Sequence, residues 1–205
     1  MNQRLALHVL ASGSRGNAAV VEDTATGKGV LVDCGICKRD FFARCDEAGF
    51  DPANLEAVLI THDHTDHTKG LGVVLRGLAK LGIEPAVFAD DAVRAASKEI
   101  IVLEGACDLR AFSSGDALSL AGMQVHAFRT SHDAASSCGF RVEADGDAVG
   151  FMTDTGIVTG EADEALRDVR ILALESNHDV QMLKDGPYPC LLYTSDAADD
   201  TPCVD

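Results

Sequence analysis

Short apolar runs recur along this chain and are separated by Gly, Asp and Asn. Runs of this length that are rich in β-branched residues and bounded by turn-forming residues predict strands. A later stretch, CGFRVEADGDAVGFMTD, predicts a hairpin that turns at Asp145-Gly146. The other predicted strands are LALHVLAS, NAAVVED, GVLVDCG, AVLITH, PAVFAD, ALSLAG, MQVHAFRTSH and the wholly apolar VRILALES.

Apolar positions with helical spacing lie between these runs. They predict helices over residues 38–48, 67–81, 89–100 and 161–169. The order is strands first and then mixed strands and helices, which favours sheets covered by helices in a layered α/β or α+β domain. No repeat or linker divides the chain, so we expect one domain over residues 1–189, followed by a tail at 190–205.

The composition limits the classes of partner. The 205 residues are 46% hydrophobic, which is enough for one substantial core. The formal net charge of −16 repels polyanions and anionic membranes on average. Nucleic acid would therefore bind only at a locally positive or metal-bearing site.

The cysteines and the apolar segments indicate a compartment. The seven cysteines are scattered, and the first residues lack the pattern of a secretory signal. No segment is long and apolar enough to span a bilayer, so we expect no membrane association and a cytoplasmic protein with free thiols. The pair Cys34 and Cys37 has no second ligand pair nearby, and a redox or zinc role is not favoured for it.

The stretch LITHDHTDHTKG, at the end of a predicted strand, contains several residues that could bind a metal. Imidazole nitrogens and carboxylate oxygens are ligands of borderline divalent metals, and the loop offers His62, His64, Asp66 and His67. That is more than one tetrahedral ion accepts easily from one loop, and it suits two adjacent metals. His132 and Asp154 each follow a later predicted strand, and both become candidate ligands beside this loop.

The glycine-rich stretch ASGSRGNA lies between the first two predicted strands. We interpret it as a turn that needs its glycines. The alternative is that Ser14, Arg15 or Asn17 faces the metal site and contacts a phosphate. The spacing of a phosphate-binding P-loop is absent.

Several stretches together resemble the metallo-β-lactamase superfamily, and within it the small single-domain YycJ/WalJ-like branch. The resemblance implies a four-layer αββα sandwich with metals at one edge of the two sheets. It runs from about residue 5 to residue 189. The stretches that carry it are LASGSRGNA, VLVDCGI, ITHDHTDHTKG, SHDAA, GFMTDTG, LALESNHD and GPYP.

The resemblance also implies a role for each matching residue. Asp33, in VDCG, would be a buried carboxylate that supports the metal loop. Two divalent ions are implied, with Zn²⁺ expected and Mn²⁺ or Fe as alternatives. The implied ligands are His62, His64 and His132 for the first metal, Asp66 and His67 for the second, and Asp154 as a bridge between them.

The resemblance predicts a metal-dependent hydrolase, a phosphodiesterase or nuclease that is exonuclease-like on DNA. Asp66 would orient the attacking water, and His178 would protonate the leaving oxygen. His178 could equally be a stand-in metal ligand or a polar residue at a strand end. The alternative functions are a thioester or lactam hydrolase of the same fold, and a catalytically impaired metal-binding fragment.

The last residues depart from the family pattern. The family has a further ligand histidine after GPYP, and CLLYTSDAADDTPCVD contains none. This tail resembles translated sequencing-adapter read-through, so we expect the natural protein to continue and the C-terminal elements of the sandwich to be missing. A native acidic tail remains the alternative.

Overall fold

The computed structural model describes residues 3–174, and two β-sheets with helices on their outer faces account for most of them. The strands are β1 (Leu5–Ala11), β2 (Ala18–Asp23), β3 (Lys28–Val32), β4 (Leu55–Leu59), β5 (Ala86–Asp90), β6 (Leu109–Phe112), β7 (Ala117–Leu120), β8 (Met123–Arg129), β9 (Cys138–Ala144), β10 (Asp147–Met152) and β11 (Ile171–Leu174). The helices are α1 (Lys38–Ala48), α2 (Thr65–Thr68), α3 (Leu71–Ala79), α4 (Asp91–Ala96), α5 (Lys98–Ile101) and α6 (Gly160–Ala165), with a 3-10 turn at Pro52–Asn54.

The first sheet has the strand order β1-β2-β3-β4-β5-β6. Its first three strands are antiparallel, and the strands from β3 to β6 are parallel. The second sheet has the order β11-β10-β9-β8-β7 and is antiparallel except where β10 pairs with β11. Because β3 and β4 run in the same direction, their carboxyl ends lie at one edge of the first sheet.

The central strands of the first sheet are buried on both faces, which explains why they are continuously apolar in sequence. Alternate side chains of one strand point to opposite faces. Val20 and Leu31 pack in the cluster beneath the helices, whereas Val21 and Val30 pack in the cluster between the two sheets. The fold therefore has two apolar layers, one on each side of this sheet.

Helices complete the outer layers. Phe41 and Cys45 of α1 are buried against the first sheet. On the other side, Ala162 of α6 packs on Phe128 and Met152 of the second sheet. The expected αββα order is confirmed. No helix within residues 3–174 is long and apolar enough to cross a membrane.

Two predicted helices are each broken into two short ones. The segment 67–81 divides at Gly70, whose N–H donates to the carbonyl of Cys34 and where a Cβ atom would overlap the carbonyl oxygen of Ile36. The segment 89–100 divides at Ser97, whose backbone is extended. Tertiary contacts of the backbone override a helical apolar pattern at Gly70.

The structure contains one strand that was not predicted, β6, and shows that the predicted strand β11 is less buried than its apolar sequence indicates. Strand β6 pairs with β5 at the edge of the first sheet, and its half-exposed sequence carries no clear alternation. Strand β11 is wholly apolar in sequence, yet Leu172 and Leu174 are nearly half exposed. The predicted hairpin turn is confirmed, because Asp145 and Gly146 both have positive φ, as a two-residue type I′ turn requires.

The predictions for the last part of the chain lie outside the described residues. They concern His178, the domain boundary at residue 189 and the tail at 190–205. The extent of the domain and the character of the tail therefore stay predictions from the sequence.

Candidate metal centre

The carboxyl ends of β3 and β4 form one side of the candidate site. Asp33 follows β3, and the loop that contains His62 follows β4. The N–H of Asp33 donates to the carbonyl of Leu59 at 2.8 Å, which holds the two strand ends together. A Cβ atom at Gly35 would overlap the carbonyl oxygen of Asp66, so only glycine lets the histidine loop lie this close.

The second sheet supplies the other side. Strands β8 and β10 both run antiparallel to β9, so their carboxyl ends lie at one edge. His132 follows β8 and Asp154 follows β10. Hydrogen bonds join the two loops, since Gly156 N–H donates to the Ser131 carbonyl at 2.7 Å. The sandwich thus brings four strand ends to one place.

Three histidines form the first cluster of possible ligands. One ring nitrogen from each of His62, His64 and His132 lies within 4.8 Å of the others. The Nε2 atom of His132 is 3.0 Å from Nδ1 of His64. Two nitrogens on one tetrahedral zinc ion, each about 2.0–2.1 Å from the metal, lie about 3.3 Å apart. The observed spacing is close to that of shared metal ligands.

A second cluster overlaps the first. Its members are His62, His67 and Asp154, whose ligand atoms also lie within 4.8 Å of one another. The Nε2 atom of His67 is 3.3 Å from Oδ2 of Asp154 and 3.4 Å from Oδ2 of Asp66. All six predicted ligands therefore meet at this edge, and their metal-binding role stays a prediction.

Asp33 orients two of these histidines. Its carboxylate accepts a hydrogen bond from Nδ1 of His67 at 2.8 Å. It also accepts a hydrogen bond from the Thr61 hydroxyl at 2.9 Å. The Thr61 oxygen in turn accepts a hydrogen bond from Nδ1 of His62, also at 2.9 Å. Both Nδ1 atoms thus act as donors, which directs each Nε2 into the cluster.

The Nε2 atom of His62 gives the direct test of whether the site fits a metal. It is buried and has no hydrogen-bond partner among residues 3–174. An unpaired buried nitrogen costs free energy unless it binds something. Burial, together with the neighbouring His67, His132 and His64, lowers the pKa of His62 well below the ordinary value, so the ring is neutral with an available lone pair. The donor set fits a divalent metal.

The charges around His67 favour a bound cation. Burial alone would lower the pKa of His67, but Asp33, by its charge and hydrogen bond, together with Asp66 and Asp154, raises it. Burial alone would raise the pKa of Asp66, and His67 reverses this and lowers it. Three carboxylates thus surround one imidazole in a buried place, and a metal ion would neutralise the same negative charge.

Asn17 lies in the glycine-rich turn and also contacts the residues of the site. Its Nδ2 atom lies 3.0 Å from Oδ2 of Asp66 and 2.9 Å from Nε2 of His67. Its own Oδ1 accepts the Gly13 N–H at 2.8 Å, which fixes the orientation of the amide. Among the alternatives weighed for this turn, Asn17 faces the metal edge. Thr61 was missed, and the only signal was a hydroxyl residue directly before His62.

The remaining candidates lie elsewhere. His8 is paired with Glu22 at 2.6 Å within the first sheet. Cys34 and Cys37 form no disulfide, and burial raises the pKa of the Cys34 thiol. Burial likewise raises the pKa of Cys45 to about 12. These groups take no part in the histidine cluster.

Comparison with known proteins agrees with the geometry. The family model described as "Beta-lactamase superfamily domain" matches residues 28–188. Exodeoxyribonuclease YycJ of Bacillus anthracis is 33% identical over 181 residues, which are 88% of this chain and 66% of that protein. Exodeoxyribonuclease WalJ of Streptococcus pneumoniae is 31% identical over 183 residues, 88% of this chain and 65% of that protein. The chain thus spans about two thirds of the length of these relatives.

A solved structure shows the same fold at low sequence identity. Zn²⁺-bound PqqB from Methylobacterium extorquens superposes with a TM-score of 0.67 and 14% identity, over 87% of this chain and 75% of that one. The family model covers most of this chain and contains all six clustered residues. On these grounds the chain belongs to the metallo-β-lactamase superfamily.

Proposed function

We propose that this protein is a metal-dependent phosphodiesterase that acts on nucleic acid, with exonuclease-like activity on DNA. The observation that carries the proposal is the pair of overlapping ligand clusters that share His62, whose buried Nε2 atom has no hydrogen-bond partner in the described part of the chain. Two adjacent clusters suit two divalent ions. The named activities of the two relatives, both exodeoxyribonucleases, favour a phosphodiester substrate.

The ligand assignment combines the two clusters with the family resemblance. His62, His64 and His132 would hold one ion, and His67 with the neighbouring Asp66 would hold the other. Asp154 lies 3.3 Å from Nε2 of His67 in the second cluster, and the resemblance assigns it as a ligand of both ions. Zinc is the expected metal because the donor set is rich in imidazole, and manganese or iron are the alternatives. When bound, such a pair of ions supplies a nucleophilic water at neutral pH and positive charge for the phosphoryl oxygens.

The protein's own groups position the reactants. Asp66 orients the attacking water, and Asn17 holds the Asp66 carboxylate in place through its amide. Asp33 keeps His67 in the tautomer that presents Nε2. The proton for the leaving oxygen is assigned to His178, which lies outside the described residues.

A hydrolase of thioesters or lactams is the second hypothesis from the sequence, and a metal-binding fragment without turnover is the third. Both would use the same histidine clusters, so the ligand geometry does not separate them from a phosphodiesterase. The relatives at 31–33% identity carry nuclease names, which favours the first hypothesis. Substrate comparison separates all three.

The test pairs metal content with turnover. Elemental mass spectrometry of the purified protein should give about two metals per chain, and the protein should hydrolyse bis-p-nitrophenyl phosphate and end-labelled DNA. Asp154→Asn should lose metal and reduce turnover at least about a hundredfold, since even residues outside the ligand shell cost 10–100-fold. Asp133→Asn, an exposed neighbour of His132, is the matched control and should behave as the parent.

Each outcome decides between hypotheses. Parental phosphodiester hydrolysis by Asp154→Asn would contradict the metal-binding role of Asp154. Turnover of a chromogenic thioester or lactam without turnover of phosphodiesters would favour the second hypothesis. Metal binding that stabilises the fold without hydrolysis of any ester would favour the third.

A further inference from the structure

A pocket on the helical face is positively charged, whereas the whole molecule is negatively charged. The net charge is −16, yet the charged residues that line this surface pocket of about 430 Å³ are all cationic among the described residues. It lies between the first turn of α1 and the exposed side of α3. Its charged lining residues are Lys38, Arg39, Arg76 and Lys80. We call it the cationic pocket.

The positive charges of the cationic pocket are poorly neutralised. Within residues 3–174, Lys38, Arg76 and Lys80 form no ion pair, and Arg39 pairs only with the adjacent Asp40, at 3.1 Å. Like charges that are held close together repel one another unless an anion lies between them. In a chain with 33 acidic residues, this local excess of positive charge indicates a place for an anionic ligand.

Packing holds one of these charges at the pocket. A Cβ atom at Gly77 would lie 2.8 Å from Cδ of Lys38. The alkyl stem of Lys38 therefore lies directly on the α3 backbone, where Gly77 leaves room for it. Long cationic side chains place their stems on apolar surface and keep the charged head in water. The ammonium group of Lys38 is thus kept near the charges of α3.

The cationic pocket begins near the metal edge, because its lining residue Cys37 is two residues after Gly35, which lies against the backbone of Asp66. Lys69 is two residues after His67 and donates from Nζ to the carbonyl of Arg15, in the exposed glycine-rich turn, at 3.0 Å. The exposed positions 73, 76 and 80 repeat at helical spacing and share one face of α3 and its C-cap. At 1.5 Å per residue, Arg76 and Lys80 lie about 6 Å apart along this helix.

We propose that the cationic pocket binds the phosphate backbone of a nucleic-acid strand whose end lies in the metal centre. The inference rests on the proposed phosphodiesterase function. Four positive charges from two helices line the pocket, which matches a repeating anion better than a single small one. The pocket is open to solvent, which suits a nucleic-acid backbone that is bound through its phosphate charges without recognition of the bases.

The first experiment measures binding with the metal-loaded protein. The ligand is a fluorescent single-stranded DNA with phosphorothioate linkages at its ends, and the signal is fluorescence anisotropy at several salt concentrations. The double variant Arg76→Ala/Lys80→Ala should weaken binding about tenfold and reduce the slope of log K against log salt by about 1.4, because each lost phosphate contact removes about 0.7. Arg76→Lys/Lys80→Arg should bind as the parent.

The matched control removes two charges elsewhere. Arg110 and Arg167 are exposed and are paired with Asp108 and Asp163. Arg110→Ala/Arg167→Ala changes the net charge equally and should leave binding nearly unchanged. Alkylation of the exposed Cys37, followed by peptide mass spectrometry, supplies a second signal, since bound DNA should protect this thiol.

The outcomes keep the inference separate from the proposed function. Parent-like DNA binding by Arg76→Ala/Lys80→Ala, equal weakening by the control variant, or equal competition by polyglutamate of the same charge would each overturn the inference. Turnover of bis-p-nitrophenyl phosphate should be unchanged in the double variant, because that substrate is too short to reach the pocket. If the parent binds DNA through these residues but hydrolyses no phosphodiester, the proposed function fails and the inference stands.

Discussion

At the scale of single residues, Asp33 supports the histidines of the metal centre through hydrogen bonds. It is fully buried and has a left-handed backbone, with φ of 59°, which Asp tolerates better than most residues. Its carboxylate accepts the Thr61 N–H, the Thr61 hydroxyl and His67 Nδ1. One side chain therefore fixes the orientation of two histidines from behind.

Asp33→Asn should weaken metal binding about 10–100-fold, because an amide cannot accept from both Thr61 and His67 with the same geometry. Asn also tolerates the left-handed backbone, so strain does not explain the loss. Affinity is measured by competition with a chromogenic chelator. Asp147→Asn, at a buried aspartate within strand β10, is the control and should keep parental metal affinity. Unchanged affinity of Asp33→Asn would contradict the orienting role.

At the scale of elements, the site depends on how closely two loops approach. The segment after β3 and the segment between α2 and α3 meet where Cys34 N–H donates to the His67 carbonyl and Gly70 N–H donates to the Cys34 carbonyl, at 2.7 and 2.8 Å. Glycine at positions 35 and 70 removes the Cβ atoms that would separate them. Close backbone contact, and not side-chain packing, sets the position of the histidine loop.

Gly70→Ala should lower the free energy of unfolding by roughly 1–3 kcal/mol, because the new Cβ atom overlaps the Ile36 carbonyl oxygen and the backbone must shift. Urea unfolding monitored by circular dichroism measures the change. Gly72→Ala, inside α3, is the matched control. Its Cβ atom would meet only side-chain atoms at 3.4 and 3.7 Å, so the substitution should be neutral or stabilising by up to about 1 kcal/mol. Equal effects of both changes would contradict this account.

At the scale of the whole molecule, a partly buried ion pair joins the two sheets. Asp147 of β10 accepts the Leu5 N–H of β1 at 2.9 Å, and it accepts from Arg170 at 2.6 Å. Arg170 in turn donates to the Leu5 carbonyl at 2.5 Å. The ends of both sheets are therefore connected through one carboxylate. The hydrogen bond from Arg170 is the main cause that lowers the pKa of Asp147 to about 2.

This pKa predicts how stability depends on pH. A carboxyl group with a lowered folded-state pKa stabilises the fold fully above its unfolded-state value, here 3.8, and the contribution is lost as the pH falls towards about 2. Asp147→Asn should therefore reduce the free energy of unfolding by roughly 1.5–3 kcal/mol at pH 7. The difference from the parent should shrink between pH 4 and pH 2.

Urea titrations at pH 7, 4 and 2.5 measure the effect of Asp147→Asn. Asp133→Asn, an exposed position, should differ little from the parent at any of these values. A deficit of Asp147→Asn that is constant down to pH 2 would contradict the linkage.

The local pattern of apolar and polar residues was enough to predict most of the helices and strands. The bounds of α1 and the hairpin turn at Asp145-Gly146 agree with the prediction because their signals are complete within a few residues. The broken helix at Gly70 and the edge strand β6 were not predicted, since distant backbone groups decide the first and pairing with β5 decides the second. The six clustered residues were found from loop spacing and family resemblance, whereas Asn17 and Thr61 act through contacts with distant parts of the chain.

The sequence by itself determined which residue types are present for metal chemistry and that they follow strands, because strand pattern and ligand spacing are local properties. Only the tertiary structure decided that the loops of both sheets meet. It also decided that Asp33 and Thr61 direct the Nε2 atoms of two histidines inward. The position of Lys38, Arg76 and Lys80 around one pocket is likewise a tertiary feature. These features depend on atoms far apart in the chain, whose distances are set by sheet packing and by the approach of loop backbones at glycine.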